Sequence, residues 1–354
     1  MDGDPMMTKT AASRARSLWL PALWLPACLT VALAGSCLLS GCGEPQPVLV
    51  EASDEPLTLA QAPLALAQSS EGVWEWADRR VTSPNLQAIW GNSTTDVWAA
   101  GTASGTLHWN GTSWRRIPNP GMGETIWSLW GTGPNNVYAV GDSGLCMRWN
   151  GSTWRRLELP IPSGVALNDI WGSSTNDIWI VGDDGLVVRY NGTNWVVLPT
   201  TAVNALWSVW GSASNNIWMV GELGYMLKWD GTKLEEFASG GTNLYTRIRG
   251  FSSAKMWLMM SGGYVSSWDG TRWGAASTMM TGGSGATNLF VNNDTSIWFV
   301  HGNETYRWNG MTSARYSGDG NALWTQGTTD GWLVGNNASI GRLSNTSMIF
   351  SYRW

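Results

Sequence analysis

"WGSSTNDIWIVGDDGLVVRYNGTNW", from Trp171 to Trp195, sets three tryptophans among glycines and small polar residues. Tryptophan is the largest side chain, so such a cluster marks either a binding platform or the packed centre of a repeating unit. The flanking sequence decides between them, because the stretch recurs. Trp90-Gly91, Trp130-Gly131, Trp171-Gly172 and Trp210-Gly211 each place a glycine seven residues before a second aromatic, at Trp98, Tyr138, Trp179 and Trp218. Fainter copies keep that offset from Gly250 to Trp257, Val291 to Trp298 and Thr325 to Trp332. Successive second aromatics lie 40, 41, 39, 39, 41 and 34 residues apart, the period of a β-propeller blade. Helical solenoids repeat at similar lengths, but these units carry no apolar i, i+3, i+4 pattern and are full of glycine.

Each of the first six units also carries a turn signal: Asn110-Gly111, Asn150-Gly151, Asn191-Gly192, Asp230-Gly231, Asp269-Gly270 and Asn309-Gly310. Such pairs supply the positive φ angles of a two-residue type I′ hairpin, which predicts two antiparallel strands around each. In the third unit the expected strands are A, "LNDIWG"; B, "DIWIVG"; C, "LVVRYN"; and D, "TNWVVLP". Strand A lines the central channel and strand D forms the rim. The expected fold is therefore all-β, a propeller of seven four-stranded blades over residues 73–354. The tryptophans are assigned to packing between blades, since a binding tryptophan has no need of seven copies.

Composition agrees. Of 354 residues, 43 are glycine and 27 tryptophan, well above ordinary usage, which fits short strands, tight turns and bulky packing. Charged residues make up 13% of the chain, the net charge is -5 and the cations form no block, which excludes a nucleic-acid surface.

The pattern W-G-x5-[VI]-W-x-[VA]-G, followed by Asn-Gly or Asp-Gly between tryptophans, resembles the Trp-rich propeller repeats of predicted bacterial lipoproteins, and more distantly Kelch and Asp-box propellers. The resemblance covers residues 73–354 and is strongest over the first four units. The Asp-box motif wants its aspartate two positions before the glycine. Here Asn150 or Asp230 directly precedes it, so sialidase-like activity is not implied.

The N-terminal segment fits the lipoprotein resemblance. Arg14 and Arg16 precede an apolar run that ends in Leu39-Ser40-Gly41-Cys42. Residues 1–41 read as a lipoprotein signal peptide and Cys42 as the acylated first residue of the mature chain. A plain spanning anchor is the alternative, but Pro21 and Pro26 interrupt the run. The expected location is the cell envelope, lipid-anchored to the bilayer through Cys42, with the outer membrane favoured because Gly43 follows the cysteine. Residues 43–72, rich in Pro and Ala, read as a flexible tether of roughly 30 Å span. Processing leaves Cys146 as the one free thiol, so no internal disulfide is expected, and "GLCMRW" suggests a buried apolar role for it.

Chemistry-bearing residues are few. His108, in "TLHWNG", is expected on the rim and His301 in a loop, neither with partners that make a metal or nucleophile set. No cofactor or catalytic set is predicted. Arg115, Arg116, Arg155 and Arg156 are expected on outer strands, with alternation turning one of each pair to solvent. Asp142, Asp183, Asp184 and Glu222 follow the glycine that ends strand B in three adjacent units, which places them in an arc on one face. In that position an aspartate also suits turn chemistry, bonding its own backbone two residues on. With Tyr225, and beside the long loop "STMMTGGSGAT", these residues form the candidate binding site. The expected function is a non-catalytic binding or scaffold module for a protein, peptide or glycan. The alternative is a carbohydrate-active hydrolase or lyase whose site is assembled from loops of the same face.

At the ends of the propeller, "VWEWADRRV" from Val73 reads as a strand D without its A to C, and "NTSMIFS" from Asn345 as the last unit's own strand D. The expectation is seven blades with the N-terminal segment packed beside the last.

Overall fold

The structure, a computed structural model, describes residues 85–121, 123–237, 241–278, 286–301, 304–317, 320–327, 330–343 and 351–352. The expected signal peptide, Cys42, the tether, the strand at Val73 and residues 279–285 of the long loop lie outside them.

The chain forms seven antiparallel sheets of four strands, each in sequential order, a seven-bladed β-propeller. Blade three runs Leu167–Ser174, Asp177–Gly182, Val187–Tyr190 and Trp195–Leu198, so Trp171, Trp179 and Trp195 fall on strands A, B and D as expected. Strands B are the most deeply buried, because both faces meet neighbouring blades; every residue of Asp177–Gly182 is buried. Mixed clusters fill the gaps between blades. One joins Trp179 and Val181 of blade three to Ile217, Met219 and Trp229 of blade four.

The Trp-Gly pair works between blades. A Cβ on Gly91 would lie 2.6 Å from the Trp324 ring, one on Gly211 2.7 Å from Trp171, and one on Gly172 2.5 Å from Trp130. Trp90, Trp130, Trp171 and Trp210 of strand A thus each lie over the glycine of the following blade, and Trp324 of blade seven closes the ring on blade one. Backbone bonds seal the same junction: Leu86 N–H donates to the Gly335 carbonyl at 3.0 Å. Where Trp gives way to Arg249 and Phe290 in blades five and six, the glycine of the next blade gives way to Val291 and Thr325. Gly91→Ala is therefore expected to cost about 1–3 kcal/mol by overpacking. Thermal melts of the double variant check the cause: in a Trp324→Ala background the same substitution should cost at least about 0.5 kcal/mol less.

Three expectations are corrected. The Asn-Gly turns are four-residue loops and not two-residue type I′ turns. Only the glycine is left-handed, with φ 93° at Gly111 and 104° at Gly231. The side chain before it does the rest: Asn110 Oδ1 accepts from the N–H groups of Thr112 and Ser113 at 3.0 and 2.9 Å, making an Asx turn. His301 ends a strand, Ser296–His301, paired with Glu304, and is not in a loop. On the outer strands Trp114–Arg116 and Trp154–Arg156, both arginines of each pair are exposed, because a strand on the rim has solvent on more than one side. The last blade takes its strand D from Ser351–Tyr352, paired with Gly341 and Ile340; residues 345–350 lie outside the described residues.

Candidate functional site

The turns between strands B and C are short 3-10 segments: Asp142–Gly144, Asp183–Gly185 and Glu222–Gly224 in blades two to four. Each is tied to the segment entering strand A of its own blade. The N–H groups of Asp142, Asp183 and Glu222 donate to the carbonyls of Thr125, Ala166 and Ala205, each at 3.0 Å. Both sets of loops therefore share one face, and the four acids stand on it in adjacent blades.

Two of the acid side chains reach back to strand A. Asp142 Oδ1 accepts from the Trp127 indole N–H at 2.6 Å, and Asp183 Oδ1 from the Asn168 amide at 3.0 Å. Trp127 and Asn168 are the residues skipped at a β-bulge in strand A, where the register shifts and the side chain is re-aimed toward the turn. Asp142 and Asp183 thus hold the bulge to the turn.

The second residue of each turn is the exposed one. Ser143, Asp184 and Leu223 have φ 55°, 54° and 53°, as do Ala103 and Asn337 in blades one and seven, each with φ 54°. A side chain in that region costs about 1 kcal/mol or more. The blade therefore fixes the turn shape and leaves the residue type at its tip open. Leu223 is 64% exposed, and Val203, in the segment entering blade four, is 79% exposed. Tyr225 closes the blade-four turn, its N–H donating to the Glu222 carbonyl at 2.9 Å; its hydroxyl donates to Glu236 on its blade's outer strand at 3.0 Å and meets Thr201 Oγ1. Burial and the Glu236 bond raise its pKa above the usual tyrosine value.

His108 is not a rim residue. It stacks on Trp98 with ring centroids 4.3 Å apart, and its Nε2 lies 2.7 Å from Asp96 Oδ1. The equivalent cations of strand C cover the equivalent aromatics: Arg189 over Trp179 at 4.8 Å, Lys228 over Trp218 at 5.0 Å and Arg342 over Trp332 at 5.2 Å. Asp177 and Asp330 anchor Arg189 and Arg342 as Asp96 anchors His108. Cys146 is fully buried, which pushes its thiol up to about 12 and fits a packing role.

Sequence reasoning missed the centre of the channel. Asp169, in strand A of blade three, is 0% exposed. Its oxygens accept from Ser128 Oγ of blade two at 2.7 Å, and from Ser208 Oγ and Val209 N–H of blade four at 2.8 and 3.0 Å. Arg249 of blade five adds a forked contact at 3.1 and 3.3 Å, and Arg247 lies 3.8 Å away. Burial alone would raise the Asp169 pKa; Arg249 and Arg247, with the Arg249 and Ser128 hydrogen bonds, hold it below the usual carboxylate range. One side chain thereby joins four blades across the axis. The available signal was a break in the repeat: "TRIRG" puts Arg249 where blades one to four have tryptophan.

Among the described residues no group of three or more His, Cys, Asp or Glu is placed to hold a metal ion. Among them, too, no helix is long and apolar enough to cross a membrane. No protein-family model matches the sequence, and no curated protein matches it. Solved structures do share the fold. YCF48 bound to a D1 peptide superposes with TM-score 0.62 at 15% identity over 80% of this chain and 100% of that one. YCF48 from Cyanidioschyzon merolae gives 0.61 at 17%, over 77% and 98%. The WD40 propeller domain of Doa1 gives 0.66 at 10%, over 78% and 98%. At these identities the likeness concerns the fold.

Proposed function

We propose that this protein is a membrane-anchored scaffold of the bacterial cell envelope whose propeller binds an extended peptide segment of a partner protein. The carrying observation is the division of labour within each blade. Side chains between blades are committed to packing, whereas the turn tips are exposed and unconstrained in residue type. In blades three and four the tips Asp184 and Leu223, with Glu222 beside them and Val203 in the segment entering blade four, share one face, an acidic and apolar surface suited to a segment with basic and apolar side chains. YCF48, with the same fold, is seen with a peptide bound. Asp142, Asp183 and Tyr225 border the surface.

The test is an array of peptides and glycans probed with the purified protein. Asp142 and Asp183 also hold strand A, so the informative variant combines Asp184→Ala, Leu223→Ala and Val203→Ser, which leaves that scaffolding intact. Loss of about tenfold or more in affinity for the selected peptide is expected from removing contacts of this kind. Undiminished binding would move the site to the other face, and selection of glycans alone would favour the carbohydrate-active reading.

Anchorage rests on Leu39-Ser40-Gly41-Cys42 and the flanking arginines. Cys42→Ser should abolish labelling by a fatty-acid probe and leave unprocessed precursor. Labelling that persisted at full level would remove the anchor from the account.

A further inference from the structure

Blade five departs from a pattern that the other blades keep. In six blades the strand C residue paired with the strand B aromatic is a cation or a histidine: His108, Arg148, Arg189, Lys228, Arg307 and Arg342. Blade three shows how that place is built. The Arg189 guanidinium lies 4.8 Å from the ring centroids of both Trp179 in its own blade and Trp229 in the next, and Asp177 holds it at 2.9 Å. In blade five the residue paired with Trp257 is Ser267, exposed and too short to cover a ring, and Lys255 stands where blade three has Asp177. The neighbouring blade is also thinner here. Blade six begins strand D with Ser313, where blades one to three have Trp114, Trp154 and Trp195.

A cavity of about 470 Å³ results between blades five and six, on the face opposite the B–C turns. Roughly 10–15 Å³ suffices for one water, so a guanidinium and part of its stem fit. Trp257 and Trp308 line it as the counterparts of Trp179 and Trp229, and Trp308 is half-buried where Trp229 is buried. Phe251 stacks on Trp257 with centroids 5.9 Å apart and is 40% exposed, which adds a third ring beside the cavity. Asp269 and Asp294 also line it, and Lys255 is the one cation among the described lining residues. All three are exposed, and the flexible stem of the lysine lets its head stay in water. Asp269 is shared with Arg272, 3.7 Å away. A planar cation between two indoles is attracted by both ring faces, and a carboxylate beside them orients it. We infer that this cavity binds a guanidinium from outside the chain, the side chain of an arginine in a partner, in the place that Arg189 takes in blade three. The site lies on the other face from the peptide surface proposed above, so each reading can fail without the other.

The experiment is a ligand-observed NMR titration of the purified full-length protein with N-acetyl-L-argininamide, and with the corresponding lysine amide for comparison. Saturable binding of the arginine amide, tighter than that of the lysine amide, is expected. Ser267→Arg supplies the guanidinium from within the chain and should abolish it. Trp308→Ala should weaken it by about fivefold, the loss associated with one cation–π contact. Lys255→Asp, which restores the carboxylate found in blade three, should tighten it. Absence of saturable binding to the wild type, equal binding of the two amides, or binding that Ser267→Arg leaves unchanged would overturn the inference. Lys255→Asp alters only an exposed position, so it decides if Ser267→Arg fails to fold: an affinity that it leaves unchanged would overturn the inference as well.

Discussion

Asp169→Ala should cost about 3–5 kcal/mol of stability, because it leaves Arg249 in the channel without the carboxylate it grips. Four blades meet at this side chain, so the loss should appear as one lowered cooperative transition in thermal or denaturant melts. The pH dependence separates the charge from the packing. Folding lowers the Asp169 pKa, so its contribution is fully present above the unfolded aspartate value of about 3.9 and is lost as pH falls through the folded value. The gap in stability between wild type and Asp169→Asn should be widest near neutrality and should shrink below about pH 4. A gap that held constant into acid would assign the effect to shape alone.

Trp179→Ala should be comparably costly, about 3–5 kcal/mol, as expected for truncating a large buried aromatic. Trp179 is 0% exposed and lies with its ring centroid 5.2 Å from that of Trp229. Its indole N–H donates to Asp177 Oδ1 at 3.0 Å, and Asp177 also holds Arg189 over the ring. Removing the ring therefore leaves a cavity and loosens the cation that covered it. Arg189→Ala in the Trp179→Ala background should cost less than in the wild type, which a double-mutant cycle measures. Loss of peptide binding without loss of stability would return Trp179 to the role of a binding platform.

The blades were legible because their signals are local. The seven-residue offset from glycine to aromatic spans one hairpin, and the period near 40 repeats it seven times. What the signals do to each other was less so. Trp-Gly reads as a neighbouring pair, yet each tryptophan meets the glycine of the following blade, and that contact shows in sequence only where Arg249 with Val291, and Phe290 with Thr325, replace both members together. Asp169 lies 80 residues from Arg249, and only ring closure brings them together. His108 was misplaced because strand C looks outer in a list of four strands, while its side chain in fact turns onto strand B. For the candidate site, the repeat located the turns correctly but could not tell Asp183, held by Asn168, from Asp184 at the exposed tip. Their sequence neighbourhood is shared; their backbone conformations are not.

The most direct test of the account is hydrogen–deuterium exchange on the purified protein with and without the peptide selected by the array. Slowed exchange is expected in the turns 183–185 and 222–225 and in the segment 199–205 that enters blade four, with little change in the Asn-Gly loops 150–153 and 191–194 on the opposite side of the blades. Protection confined to those loops, or spread over the outer strands alone, would contradict it.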